Sequence, residues 1–251
     1  MSIENANMKI VATIEARMTS SRLPGKVLME AVNKPMLHHL VTRLRAVPSI
    51  DVIVLAITTN STDDILVSFA ESEGIAYFRG SEDNVMERVI GAADSVNADV
   101  VVEITGDCPI IDYEVIDQAI RMFLVHDADY VSNVDVRSYP DGMDVQVFRL
   151  DTLKRSASMT TDSLEQEHVT LHIRKHPELF TKLHLVAPPE IRWPELRLTL
   201  DEMADYELLK RVIEYFGQDY PLFTCLDIVR LLRNNIDWVD INKAVQSKGD
   251  T

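Results

Sequence analysis

The sequence predicts a three-layer α/β fold of Rossmann-like kind, built on a mixed, mostly parallel sheet. Val- and Ile-rich runs of strand length alternate with amphipathic stretches of helical length, the pattern of βαβ units. The first such run feeds directly into a Gly-containing cationic loop. The 251 residues, 46% hydrophobic and 26% charged, suffice for one large α/β domain with a substantial core.

The elements follow in order. "KIVATI" (9–14) is the first predicted strand, and "EARMTSSRLPGK" (15–26) the loop after it. "PMLHHLVTRLRAV" opens with Pro35, suited to a first helical turn, and aligns Met36, Leu40, Leu44 and Val47 on one face. "DVIVLAIT" (51–58) is the second strand. "TDDILVSFAESEG" reads as a helix with a Thr cap at Thr62, acids in its first turn and a stop at Gly74. "IAYFR" (75–79) and "DVVVEIT" (99–105) are strands, and the stretches "SEDNVMERVIGAADSVN" and "DYEVIDQAIRMFLVHD" are helices. Further strands are expected at 128–134, 144–150, 182–187 and 196–200. The rhythm changes after about residue 135, where "RSYPDGMDVQVF" sets Pro and Gly between strand-like runs; we expect this region to build the far wall of a cleft. "MADYELLKRVIEYFG" and "CLDIVRLLRN" close the chain as helices patterned to pack on the sheet. One domain over 8–251 is expected, with a first half at about 8–134, a region of changed rhythm at about 135–200 that also suits a dimer contact, and C-terminal helices at 201–251.

Charge narrows the function. With 40 acids against 25 bases the formal charge is −15, which excludes the broad positive footprint that nucleic acid or an anionic membrane requires. An anion site has to be local. Cys108 and Cys225 are the only cysteines and form no CxxC, so free thiols in a reducing cytoplasm are expected. No apolar run reaches the ~20 residues that span a bilayer, and "MSIENANMK" lacks the organisation of a signal peptide.

In an open parallel sheet, ligands bind where loops converge at the carboxyl ends of strands. The 15–26 loop lies at such an end. Arg17, Arg22 and Lys26 offer fixed charge to a polyphosphate, Ser20 and Ser21 add hydroxyls, and Gly25 allows close backbone approach. A solvated basic loop is the competing reading. Neither the G-x-x-x-x-G-K-[ST] nor the G-x-G-x-x-G spacing is present. "EITGDCPIID" is a buried strand ending at Gly106 and Asp107, which puts a carboxylate at the same sheet edge; the alternative is a capping Asp before a turn. Asp144 and Gln146 fall on alternate positions of a strand and so share a face, next to Asp141 in a turn. That face reads sugar hydroxyls or is simply exposed. His168, His172 and His176 lie at helical spacing with Glu165 one turn before His168. They lack H-E-x-x-H order and any cysteine neighbour, so a metal triad is not expected, and His172 and His176 are expected at the surface or in packing. Cys108 has no evident His partner and is expected to be a small buried residue. On its residues alone, Arg88 reads as a helix-surface residue paired with Asp83 or Asn84.

The run "ARMTSSRLPGK" (16–26) resembles the A-R-x-G-S-x-R-L-P-G-K signature of the cytidylyltransferases that activate acidic sugars, the CMP-Kdo and CMP-sialic acid synthetases. The spore coat polysaccharide branch is the most similar. "GDCPIID" (106–112), "YPDGMDVQVF" (139–148), "EQEHVTLHIRKHP" (165–177) and "LRLTLDEMADYELL" (196–209) resemble further blocks of that branch in the same order, so the resemblance covers nearly the whole chain. It implies a nucleotidyltransferase fold of the nucleotide-diphospho-sugar transferase type, with a nucleotide-binding half at about 8–134 and a sugar-binding and dimerisation region at about 135–200; "FRGSEDNVMER" (78–88) resembles the block that closes over the nucleotide, which would set Arg88 beside it. It implies CTP as nucleotide, held by Ala16, Arg17, Ser20, Ser21, Arg22, Lys26, Arg79 and Asp107, with Arg17, Arg22, Lys26 and Asp107 catalytic. It further implies Mg²⁺ on Asp107 and Asp201, a small acidic sugar near Asp141, Asp144, Gln146 and His168, a cytoplasmic setting and a homodimer. On the residues alone, Asp201 reads equally as the cap of the following helix. The sequence departs from the pattern twice: Glu15 stands where the branch usually has Gln, adding a negative charge beside the phosphate site, and Thr19 stands where the motif has Gly, a residue of freer backbone. A glycosyltransferase of related fold and a non-catalytic nucleotide binder are the competing functions.

Overall fold

The computed structural model describes residues 8–246. β1 (Ile10–Glu15) leads into the cationic loop, a 3₁₀ turn at Lys26–Leu28 and a small hairpin of β2 (Glu30–Ala31) and β3 (Lys34–Pro35). Then come α1 (Met36–Arg45), β4 (Val52–Thr58), α2 (Asp64–Glu73), β5 (Ala76–Gly80), α3 (Val85–Ser95), β6 (Val100–Thr105) and α4 (Tyr113–Val125). The second half holds β7 (Tyr130–Ser132), β8 (Gln146–Arg149), α5 (Leu150–Ala157), α6 (Ser163–Glu167), α7 (Leu171–Lys175), β9 (Lys182–His184), α8 (Met203–Phe216), α9 (Cys225–Asn234) and α10 (Ile236–Val239).

Seven strands form one sheet in the order β5-β4-β1-β6-β8-β7-β9. β1 runs parallel to β4 and β6, β4 to β5 and β7 to β9, while β8 is antiparallel to both neighbours. The mixed, mostly parallel sheet is therefore as expected. β1 and β6 are adjacent, with the chain having moved outward through β4 and β5 in between. That reversal of direction is a topological switch point, and the loops after β1 and β6 meet there.

Period-2 alternation divides the strands between two cores. Ala12 and Ile14, Leu55 and Ile57, and Val102 and Ile104 face a layer of α1, α2, α4, α8 and α9. Val11, Val54, Val101, Tyr130 and Phe148 face α3, α5 and α7. Leu37, Leu40 and Leu44 of α1 are fully buried, which ties α1 to the sheet face beneath it.

Three local expectations are corrected. The stretch 196–200 is extended but joins no strand: a single bridge pairs Arg197 with Asp141, and Leu200 N–H donates to the Asp107 carbonyl at 2.8 Å. Its backbone partners lie in two site loops instead of the sheet. Thr62 does not cap α2; it sits inside a 3₁₀ turn at Ser61–Asp63, and Asp63 turns back to accept from the Thr58 hydroxyl at 2.7 Å and from Met18 N–H at 2.8 Å. Asp201 does not cap α8 either. Glu202 does, in a capping box with Asp205.

Candidate active site

The loop after β1 and the loop after β6 bring their charged residues to one place. Lys26 is 9% exposed, a position an ammonium holds only when paired. Its Nζ lies 3.0 Å from Asp107 Oδ2 and 2.9 Å from Asp201 Oδ1. Burial alone would lower the Lys26 pKa, but Asp107 and Asp201 together hold it above its ordinary value. Burial would likewise raise the Asp201 pKa, and Lys26, Arg22 and Arg197 outweigh it, so that carboxylate stays below the usual range. Arg22 reaches Asp201 Oδ2 at 2.8 Å and Glu202 at 3.8 Å.

Two close approaches fix this geometry. A Cβ on Gly106 would lie 2.7 Å from the Glu15 carbonyl, so only glycine lets the β6 loop press against the end of β1. Gly142 has φ +100°, and a Cβ there would lie 2.6 Å from the Leu198 carbonyl, which keeps the 139–144 turn tight on the segment leading to Asp201.

Arg197 went unmarked in the sequence reading. Its guanidinium donates to Asp205 at 3.1 Å, to Asp141 at 3.2 Å and to Asp201, so it locks the late carboxylate to the 139–144 turn. Its position four residues before Asp201 is the only sequence signal for it, and that spacing is meaningful on a helix, which this segment is not.

Arg17 stands apart from this cluster. It pairs with Glu82 at 3.0 Å; Glu82 also accepts from the Thr19 hydroxyl at 2.8 Å and from Asn60 at 2.6 Å. Arg79 donates to the Thr58 and Asn60 carbonyls at 3.0 and 2.7 Å and pairs with Asp64 at 2.6 Å. Arg17 and Arg79 thus line the β4 side of the loop. Ala16 is buried, Ser20 half-buried and Ser21 exposed along it. Thr19 has no positive φ, so the residue that replaces glycine fits this loop without strain.

The expected charge of Glu15 beside the phosphate loop is corrected. Its side chain lies with Glu103 on the sheet face toward α3, and Oε2 is buried without a hydrogen-bond partner. Burial first, then Glu103, push its carboxyl well above the ordinary value, favouring the neutral acid. Arg88 is not on a helix surface: it is 3% exposed, bonded to the Ser81 and Glu82 carbonyls, and electrostatically close to Glu15.

On the β8 side, Asp144 precedes the strand and pairs with Arg137 at 3.0 Å. Burial pushes its carboxyl up to about 6 against the pull of Arg137. Gln146 accepts from the Tyr130 and Thr170 hydroxyls and donates to Glu103, so its amide is committed inside the protein. Asp141 faces Arg197, and His168 is half-buried at the end of α6. Cys108 is 1% exposed, as expected. Burial raises its thiol pKa well above the ordinary value, which leaves it inert as a nucleophile.

Two carboxylates that converge on one cation are a donor set that suits Mg²⁺, which takes carboxylate oxygens alongside water and phosphate. A helix-flanked mixed sheet with a cationic loop opposite paired carboxylates at the switch point defines a nucleotidyltransferase-like protein. A family model described as cytidylyltransferase matches residues 11–237. The chain belongs to that family of CTP-using transferases. It is 35% identical over 233 residues to the spore coat polysaccharide biosynthesis protein SpsF of Bacillus subtilis, covering 91% of this chain and 95% of that one. A cytidylyltransferase from Leptospira borgpetersenii superposes with a TM-score of 0.89 at 30% identity, covering 96% of this chain and all of the other. A 3-deoxy-manno-octulosonate cytidylyltransferase of Pelobacter propionicus is 36% identical over 120 residues, 47% of this chain and 45% of its own length. No helix among the described residues is long and apolar enough to cross a membrane.

Proposed function

We propose that the protein couples CTP to a small acidic sugar, giving a CMP-sugar and pyrophosphate for polysaccharide biosynthesis. The observation that carries this reading is the placement of Lys26 between Asp107 and Asp201, 81 and 175 residues away in sequence. Without nucleotide the cations and carboxylates neutralise each other. A triphosphate gives Lys26 and Arg22 new anionic partners, and both carboxylates then become available to Mg²⁺.

In this reading Arg22 and Lys26 bind the β- and γ-phosphates and stabilise the charge that grows on departing pyrophosphate. Arg17 shifts from Glu82 to the nucleotide, and Arg79 braces the β4 side of the loop. Asp107 and Asp201 are the residues that would hold Mg²⁺, which when bound would supply positive charge to offset the triphosphate. The acceptor enters on the β8 side, among Asp141, Asp144 and His168, where half-exposed Arg137 meets its carboxylate. No covalent nucleophile is required.

The test is incubation of purified protein with CTP, Mg²⁺ and a panel of keto sugar acids, following pyrophosphate and the CMP-sugar mass. Pyrophosphate with a CMP-sugar supports the proposal; no pyrophosphate with any acid of the panel, together with consumption of a nucleotide-sugar in a parallel incubation, points instead to a glycosyltransferase and refutes it. Calorimetric titration with CTP, with and without Mg²⁺, tests the carboxylates separately. Asp107→Asn and Asp201→Asn should abolish the dependence of CTP affinity on Mg²⁺, and unchanged dependence in both removes them from the metal site.

A further inference from the structure

The last described stretch of the chain reaches the candidate active site from behind. Trp238 of α10 and Ile241 after it pack against the main core, and the chain then turns at Asn242, whose carbonyl accepts from Val245 N–H at 3.0 Å. These turn residues lie beyond 11–237, the span that the cytidylyltransferase model matches. None of the motif blocks in the sequence points to them.

Asn242 is 3% exposed, and its side-chain amide has two acceptors. Nδ2 donates to Asp205 Oδ1 at 2.8 Å and to the Arg197 carbonyl at 3.1 Å. Both acceptor residues hold Asp201. Asp205, fully buried, accepts on Oδ2 from the Asp201 N–H at 3.0 Å and from the Glu202 N–H at 2.9 Å. Arg197 donates to the Asp201 carboxylate through Nη2, and through Nε at 3.1 Å to the same Asp205 oxygen that Asn242 reaches. The backbone of Asp201 is thus fixed by one residue and its carboxylate by another, and a single amide joins the two.

We propose that Asn242 is a positioning residue for nucleotidyl transfer, one that aims the Asp201 carboxylate at the place where Asp107 and Asp201 converge on Lys26. The inference rests on the reading of Asp107 and Asp201 as the pair that would hold Mg²⁺.

The local chemistry calls for an amide. Asp205 takes two backbone N–H groups on one oxygen and a guanidinium on the other, so a neutral donor completes its hydrogen bonding without adding charge. Arg197 also donates to Asp141 through Nη1 at 3.2 Å, and Asn242 opposes that pull through the Arg197 backbone and through Asp205. When the amide is lost, the guanidinium shifts toward Asp141 and the Asp201 carboxylate moves with it. The same C-terminal segment touches the phosphate side of the site. Arg22 donates through Nη1 to the Gln246 carbonyl at 3.3 Å while its Nη2 lies 2.8 Å from Asp201.

The experiment uses the full chain and three variants: Asn242→Ala, Asn242→Asp and Lys243→Ala. Asn242→Asp keeps the side-chain shape and puts an acceptor against Asp205, whereas Lys243 is exposed in the same turn and serves as control. CTP is titrated by calorimetry over a series of Mg²⁺ concentrations, with each variant held below its thermal transition. Asn242→Ala should need ~10–100-fold more Mg²⁺ to tighten CTP binding half-maximally, the usual cost of removing a group that orients a metal ligand. Its affinity for CTP without Mg²⁺ should be unchanged. Asn242→Asp should need more Mg²⁺ still, and Lys243→Ala should match the wild type. Without nucleotide, the Asp201 and Glu202 amides should exchange hydrogen faster in both Asn242 variants. Raised Mg²⁺ should restore pyrophosphate release by Asn242→Ala, a recovery that an unfolded chain would not show. An unchanged Mg²⁺ requirement in both Asn242 variants, an equal loss in Lys243→Ala, or CTP binding weakened equally with and without Mg²⁺ would overturn this proposal alone. Absence of any Mg²⁺ effect in the wild type would overturn the functional reading together with it.

Discussion

Replacing Glu103 with Gln should stabilise this protein in alkaline solution and leave it nearly unchanged in acid. Glu103 is 4% exposed on β6, beside Glu15 and Gln146. Burial is the main cause that pushes its carboxyl from 4.5 up to about 7, against smaller opposing contributions from its hydrogen bond to Glu15 and from Arg174. Between those two values the native state keeps a proton that the unfolded chain releases, so native stability falls as pH rises through this window. Stability from this group is complete below about pH 4.5 and lost by the time pH passes about 7. At ~1.4 kcal/mol per pH unit, the 2.5-unit window corresponds to up to ~3 kcal/mol at pH 8. The amide introduced by Glu103→Gln would still accept from Gln146 and donate to Glu15 without the ionisation cost. For a chain of this size ~3 kcal/mol is roughly 6–12 °C in melting temperature. Thermal and urea unfolding at pH 8 and pH 5 measure it, with the difference shrinking below ~1 kcal/mol at pH 5. If the variant is no more stable than wild type at pH 8, Glu103 is ionised in the native protein and the burial argument fails.

Lys26→Met leaves Asp107 and Asp201 without their shared cation and should cut nucleotidyl transfer by ~10²–10³-fold, read as kcat in a pyrophosphate assay; a loss under tenfold would remove Lys26 from the chemistry. Gly106→Ala forces the β6 loop off the Glu15 carbonyl and displaces Asp107. It should cost ~10²-fold in kcat, with circular dichroism showing the fold retained. Gly142→Ala combines a φ of +100° with contact against the Leu198 carbonyl, so urea unfolding should show at least ~2 kcal/mol of destabilisation. Cys108→Ala should leave turnover at the wild-type level, because the thiol is buried and held protonated; loss of activity without loss of fold would give it a role in the reaction.

Much of the framework was legible. The Val- and Ile-rich runs gave β1, β4 and β6 to within a residue or so, because each is buried on both faces and its local composition reports that burial; β5, the half-exposed edge strand, was placed as closely by its position between two helical stretches. α3 and α4 begin at Asn84 and Asp112 as capped helices, since capping is a contact between near neighbours. The region after residue 135 was less legible. There 196–200 reads as a strand by alternation, yet its backbone bonds go to the Asp107 and Asp141 loops, and alternation carries no information about which partner an extended segment finds.

The sequence by itself determined the layered sheet, the cationic loop and, through its family blocks, the pairing of Asp107 with Asp201. Short-range periodicity and a spaced motif suffice for the first two, whereas the third is carried by the resemblance alone. Only the tertiary structure decided that Lys26 stands between the two carboxylates, that Arg197 locks Asp201 to Asp141, that Glu15 turns to Glu103 and away from the phosphate loop, and that Asn242 reaches Arg197 and Asp205. Each is a contact between residues brought together by strand order or by the angle between short helices, and a side chain's charge state follows from how deeply those contacts bury it.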